Sequence, residues 1–200
     1  MLVSKDVNKI VDALSNGRVV AVKTDTVYGL VCDAFNKSAT EKIYSIKRRE
    51  TQKPISIFVK NLDDIKQYVD NSVLNKEIIE LMEKYWPGAL TIILKKKQGI
   101  LDNITCNFDS IGIRIPNDSF LLSVLDRVSF PLAQTSCNIS GEQEYTDAHT
   151  INEKFGDEID YIVDGGKILN NVASTIIKID NNNIHVIRQG DIIIDERYKN

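Results

Sequence analysis

At 200 residues, with 42% hydrophobic and 26% charged side chains, the chain has ordinary globular proportions, enough for one α/β domain with a buried core. Its net charge of −3 argues against a chain whose main partner is bulk nucleic acid, because such domains are strongly basic. No apolar run approaches the ~18 residues of a bilayer-crossing helix and Met1–Asp6 lacks a signal-peptide core, so a cytoplasmic chain without membrane attachment is expected. Cys32, Cys106 and Cys137 are an odd number and too far apart for paired zinc spacing, which predicts reduced thiols and no structural metal.

In chain order, Val7, Ile10, Val11 and Leu14 fall on one helical face, with Ser4 or Asp6 as cap and Gly17 as stop. Arg18–Lys23 reads as a central strand because its apolar residues are contiguous rather than alternating. It runs into Thr24-Asp25-Thr26-Val27-Tyr28-Gly29-Leu30, a hydroxyl-rich stretch at a strand end, where open α/β sheets place ligands. Ser38-Ala39-Thr40-Glu41 has the form of a capping box and predicts a helix that starts there and carries Ile43 and Ile46 inward. That helix ends in a cationic loop: residues 42–53 hold five cations against one anion, a local net of +4 in an acidic chain. Lys47 and Arg49 at its C-terminal end also fit plain complementation of the helix dipole, at ~0.3–1 kcal/mol each.

Beyond the loop, residues 55–60 read as a strand, Ile65, Tyr68 and Val69 as a short helix, and Ile78, Leu81, Met82 and Tyr85 as a longer one stopped by Trp86-Pro87-Gly88. A strand over 90–94 leads to Lys95-Lys96-Lys97, read as a solvated turn. In the strand 111–115 the single cation Arg114 must be paired or face a cleft. Asp118 caps a helix with Leu121, Leu122 and Leu125, and a strand over 131–134 ends in a second polar stretch, Thr135–Gly141. Asp147 opens a helix with Ile151 and Phe155; a strand at 161–163 precedes the Asp164-Gly165-Gly166 turn. Residues 173–179 and 184–187 form a hairpin across Asp180-Asn181-Asn182-Asn183. No repeat or linker divides the chain, so a single domain over 1–200 is expected.

The familiar nucleotide loops, Gly-x-x-x-x-Gly-Lys-Ser/Thr and Gly-x-Gly-x-x-Gly, are absent. Cys137 as a nucleophile would need a base, and His149 and His185 lie in no recognisable motif. What remains is a set of cations (Lys47, Arg49, Arg114, Arg188) with hydroxyl and amide groups (Thr24, Thr26, Ser110, Ser136, Asn138, Ser174). Such a set suits phosphoryl or nucleotidyl transfer, which needs positioning and charge stabilisation more than covalent chemistry.

These residues stand in motifs that, in order, resemble the YrdC family of threonylcarbamoyl-AMP synthases: Lys23–Leu30, Lys47-Arg48-Arg49 with Lys53-Pro54, Tyr85–Thr91, Ile113–Pro116 and Thr135–Gly141. Asp164–Gly166, Ser174-Thr175 and Ile187–Gly190 extend the resemblance over nearly the whole chain, which looks like the short form of the family. The resemblance implies a twisted open mixed sheet with flanking helices and a concave cationic cleft. It implies an enzyme that condenses L-threonine, bicarbonate and ATP into threonylcarbamoyl-AMP and releases pyrophosphate, with Mg²⁺ as an expected cofactor and no metal ligand assigned. A tRNA threonylcarbamoyl transferase complex is the implied downstream partner, and tRNA or double-stranded RNA a further contact. By position, Lys47, Arg49, Ser136 and Asn138 would be catalytic; these four with Ser110 and Arg188 would bind ATP; Thr24, Thr26, Arg114, Ser174 and Thr175 would bind threonine. Lys23, Phe58, Cys137 and Glu144 depart from the family pattern. The alternative reading is an RNA-binding module of the same fold without adenylate-forming activity, against which the acidic composition and the lack of repeated aromatics count.

Overall fold

The computed structural model describes residues 1–180 and 183–198. Ten strands form one mixed sheet: β1 (Leu2–Val3), β2 (Val20–Lys23), β3 (Tyr28–Asp33), β4 (Ser56–Phe58), β5 (Leu90–Lys95), β6 (Ser110–Arg114), β7 (Leu132–Ser136), β8 (Tyr161–Val163), β9 (Thr175–Asp180) and β10 (Asn183–Arg188). Their spatial order is β1-β8-β2-β3-β7-β4-β6-β5-β9-β10, with β1 and β10 at the two edges. Among the described residues seven α-helices flank it: α1 (Val7–Ser15), α2 (Lys37–Ile46), α3 (Leu62–Ile65), α4 (Lys76–Tyr85), α5 (Asp102–Thr105), α6 (Ser119–Leu125) and α7 (Ala148–Phe155). β9 and β10 pair antiparallel, as the expected C-terminal hairpin requires; Asn181 and Asn182, expected between them, lie outside the described residues.

Short polar side chains set the helix starts by taking a backbone N–H that the helix cannot use. Asp6 rather than Ser4 caps α1, Asp118 caps α6 and Asp147 caps α7. For α2 the cap is Asn36, whose Oδ1 accepts from the Ala39 N–H at 3.0 Å, so the expected capping box at Ser38 lies inside the first turn and is not used. The helix expected around Ile65, Tyr68 and Val69 is only the four residues of α3, and Val69 instead bridges to Lys96.

Two further expectations are corrected. The polar stretch expected over residues 24–30 passes at Tyr28 into strand β3, paired antiparallel with β2 and β7, because Tyr28, Leu30 and Cys32 alternate into the core. Lys96 is no solvated turn residue: it is 7% exposed, its Nζ donating to Asp102 Oδ1 and Ile100 O, while Lys95 pairs with Asp70.

The two faces of the sheet are covered unequally. On one face α2, α4 and α7 bury Ile43, Leu81 and Ile151 against Ile57, Ile92, Ile113 and Ile177. Each such aliphatic side chain contributes about 1.5–3 kcal/mol on leaving water. On the other face α1 and α6 cover Val31, Phe58 and Leu132. Side chains two residues apart on a strand share a face, so Gly29, Gln134 and Ser56 continue those rows past the helices. There the residues on this face change from large and apolar to small or polar, and the sheet is left open.

Candidate active site

The cationic loop is a Schellman cap on α2. The Arg49 N–H donates to Tyr44 O at 2.9 Å and the Arg48 N–H to Ser45 O at 3.0 Å. Arg48 occupies the left-handed position with φ +47°, where glycine is usual, so the sequence carries no glycine signal for this turn. The reversal sends Lys47 and Arg49 inward and leaves Arg48 exposed, paired with Glu158 at 3.6 Å. Arg49 is tied to its own loop, Nε to Lys53 O at 3.1 Å and Nη2 to Pro54 O at 3.0 Å. Both Nη1 hydrogens and one on Nη2 remain for a ligand.

Lys47 is 1% exposed and reaches the end of β7. Its Nζ donates to Ser136 O (2.5 Å), Asn138 O (2.9 Å) and Asn138 Oδ1 (2.7 Å), with Ser136 Oγ at 3.4 Å. Ser136 Oγ donates to Asn138 Oδ1 at 2.7 Å, and Asn138 Nδ2 to Glu142 O at 2.6 Å. Burial first, then the Arg49 charge, pulls the Lys47 pKa down to about 8, while Cys137 and Glu144 act in the opposite sense.

Arg114, 3% exposed, donates from Nε to Gly88 O (2.9 Å), from Nη1 to Thr26 Oγ1 (3.0 Å) and from Nη2 to Asp25 Oδ1 (2.5 Å). It is therefore both paired and cleft-facing, with one hydrogen left on each Nη. Phe58 does not line the cleft; its ring centre lies 5.8 Å from the guanidinium carbon. Thr24 Oγ1 donates to Val27 O at 2.7 Å and accepts the N–H groups of Thr26 and Val27, so its hydrogen-bonding capacity is spent on the β2–β3 turn. Thr26 Oγ1, 3.0 Å from Thr24 Oγ1, is the hydroxyl of the pair that can still turn its hydrogen to a ligand.

Across the opening, Arg188 donates from Nε and Nη2 to Ser174 O at 3.0 and 2.8 Å, and Ser174 Oγ lies 2.9 Å from Thr91 Oγ1. Burial lowers the Arg188 pKa; Glu144 opposes that shift and Arg114 adds to it. Thr175, expected beside Ser174, is not at the site. As the first residue of β9 it is fully buried, and its hydroxyl instead donates to Ile192 O and accepts the Gly190 N–H.

Thr24, Thr26, Arg49, Ser110, Arg114, Ser136, Ser174 and Arg188 thus line one cavity of about 280 Å³, with Lys47 and Asn138 behind its Ser136 wall. Gly29 of the 24–30 stretch also lines it, as do Ser56, Gly112 and Gln134, which sequence reasoning missed. Gln134 Nε2 donates to Ser56 Oγ, and a Cβ on Gly112 would stand 3.1 Å from Ser56 Cβ. Their signal was a small or polar residue at the cleft-facing positions of otherwise apolar strands. Among the described residues three arginines and no carboxylate line the cavity, and no group of three acidic, histidine or cysteine side chains could hold a metal. This donor set does not fit a protein-held Mg²⁺, which wants carboxylate oxygens. Among the described residues no helix is long and apolar enough to cross a membrane.

The Sua5/YciO/YrdC family model, described as telomere recombination, matches residues 12–190. A protein of Methanocaldococcus jannaschii, provisionally named threonylcarbamoyl-AMP synthase, is 43% identical over 183 residues, 90% of this chain and 84% of the relative. The threonylcarbamoyl-AMP synthase of Pyrococcus abyssi is 32% identical over 92% of this chain, which spans only 53% of that longer relative. The crystal structure of P. abyssi Sua5 complexed with L-threonine superposes with a TM-score of 0.86 at 29% identity, covering 92% of this chain and 54% of that one. With a family model matched over most of its length, the chain belongs to the Sua5/YciO/YrdC family.

Proposed function

We propose that this cleft condenses L-threonine, bicarbonate and ATP into L-threonylcarbamoyl-AMP and pyrophosphate, the first step of threonylcarbamoyladenosine formation in tRNA. The observation that carries the reading is the cavity itself, lined by Arg49, Arg114 and Arg188 with unspent N–H groups and no carboxylate, in a chain that is acidic overall. Relatives named for this reaction, and one solved with L-threonine, support the choice of substrates.

The chemistry follows from the residues. The threonine amine and bicarbonate give a carbamate with loss of water; a carbamate oxygen then forms a bond to the α-phosphorus while the bond to pyrophosphate breaks. Charge builds on the leaving group, and donors fixed in advance stabilise it more in the transition state than in the ground state. Arg49 and Arg188 fill that role, with Ser110 on the nucleotide. Arg114 takes the threonine carboxylate through its two remaining hydrogens, held in place by Asp25 and Thr26, and Thr26 and Ser174 supply hydroxyls. Magnesium enters with the nucleotide as part of the substrate, because the cleft offers it no carboxylate. The labile adenylate is handed to a complex that acylates tRNA in the cytoplasm. The RNA-module alternative gains nothing from the Lys95–Lys97 run, whose first two charges are paired with Asp70 and Asp102.

Pyrophosphate release from ATP tests the reading: it should require both threonine and bicarbonate and fall at least 100-fold in Arg49→Ala. Release that ignores threonine would overturn it.

A further inference from the structure

We propose that Lys47 is a positioning residue, a buried ammonium donor that fixes Ser136 and Asn138 at the cleft wall and makes no contact with the triphosphate. The inference rests on the reaction proposed above, but its ground is a count of hydrogens. A lysine ammonium has three N–H donors. Three oxygen atoms, Ser136 O, Asn138 O and Asn138 Oδ1, lie 2.5–2.9 Å from Nζ, and the residue is 1% exposed. Nothing is left to donate to a phosphate, and Lys47 is absent from the residues that line the cavity.

The rest of the network shows what the cation does. It draws two backbone carbonyls and one amide oxygen to a single point, an arrangement that bends the chain sharply after β7. The main chain closes the loop from the other side, where the Ser140 N–H donates to Lys47 O at 2.9 Å. Asn138 cannot flip, because its Oδ1 takes both Lys47 Nζ and Ser136 Oγ while its Nδ2 is held by Glu142 O. The Ser136 hydrogen is committed to Asn138, so the hydroxyl presents a lone pair to the cavity. Arg49, two residues on, carries the open donors that Lys47 lacks. The Lys-x-Arg spacing thus divides its labour: one cation builds the wall and the other meets the ligand.

An ammonium suits oxygens that converge on a point, whereas the planar fork of arginine does not. This separates the proposal from a phosphate contact, which arginine would serve as well as lysine. Lys47→Arg should lose at least 100-fold in kcat, and Lys47→Met, which keeps an aliphatic stem of similar length, should lose as much while KM for ATP stays within about threefold. In Lys47→Ala, propylammonium chloride should restore kcat at least tenfold with saturation, and tetramethylammonium chloride at equal ionic strength should not. Amide exchange at Asn138 and Ser140 should quicken at least tenfold in Lys47→Met, a readout that holds whether or not the variant turns over. Retained activity in Lys47→Arg, a KM for ATP raised tenfold or more at unchanged kcat, or unaltered exchange at the two amides would each overturn the proposal. If the wild-type chain shows no threonine-dependent pyrophosphate release, the reaction assignment fails instead, and the exchange comparison still decides the role of Lys47.

Discussion

Lys47 makes the site sensitive to alkaline pH in a way that separates activity from stability. Its pKa is pulled down to about 8 from the 10.5 of a free lysine, by burial first and by Arg49 second, against Cys137 and Glu144. Between those two values the unfolded chain holds more protons than the folded one, so the contribution of this group to stability rises with pH across the window and is lost as pH falls through 8. The neutral amine, however, has one donor fewer than the three oxygens around it. Expected, therefore, is a kcat that declines above pH 8 while denaturant stability, taken as the difference between wild type and Lys47→Met, does not decline. A parallel fall of both would count against the assignment. At this scale the sequence announced the cations but not their use. Arg114 had to be paired or cleft-facing, and it is both; Lys47 and Arg49 looked equivalent two residues apart, and only the fold shows that one is saturated and the other open. Thr24 and Thr26 looked equivalent for the same reason.

At the scale of elements, helix caps were legible where an Asp precedes an apolar face, as at α1, α6 and α7, because the capping chemistry is local. The start of α2 was misread since Asn36 outcompetes a Ser-x-x-Glu pattern one turn inside it. Strand β3 was missed because its polar neighbours Thr24–Thr26 sit in the turn just before it, and only pairing with β2 and β7 separates turn from strand. The end of α2 offers a test of the cap. Arg48 holds φ +47°, which costs a side-chain-bearing residue about 1 kcal/mol or more. Its ion pair with Glu158 is at 3.6 Å between partners 55% and 39% exposed, so solvent screening leaves it little weight. Arg48→Gly should raise unfolding free energy by about 1 kcal/mol in urea titration and leave kcat within twofold. A loss of stability would mean that the Glu158 contact, rather than backbone strain, governs the turn.

For the whole molecule, the decisive feature is a sheet whose second face is only half covered. The apolar rows that run beneath α1 and α6 give way to Gly29, Ser56 and Gln134, and this change of character, not a loop motif, makes the cavity. The sequence pattern revealed the strands other than β1 and β3; the order that brings β3 beside β7 and β6 beside β5 comes from long-range pairing that no local pattern encodes. Three arginines held on different strands and loops face this opening without a carboxylate among them. An anion that spans them takes up their uncommitted N–H groups, so ligand binding is linked to folding. At 100 times its dissociation constant a ligand adds about 2.7 kcal/mol, and for a domain of this size that corresponds to roughly 5–10 °C in Tm. ATP should produce such a shift in a thermal melt. Arg49→Ala should abolish the ATP shift yet keep the smaller one given by threonine, whose carboxylate is assigned to Arg114. Equal loss of both shifts would place the two ligands at one arginine rather than along the opening.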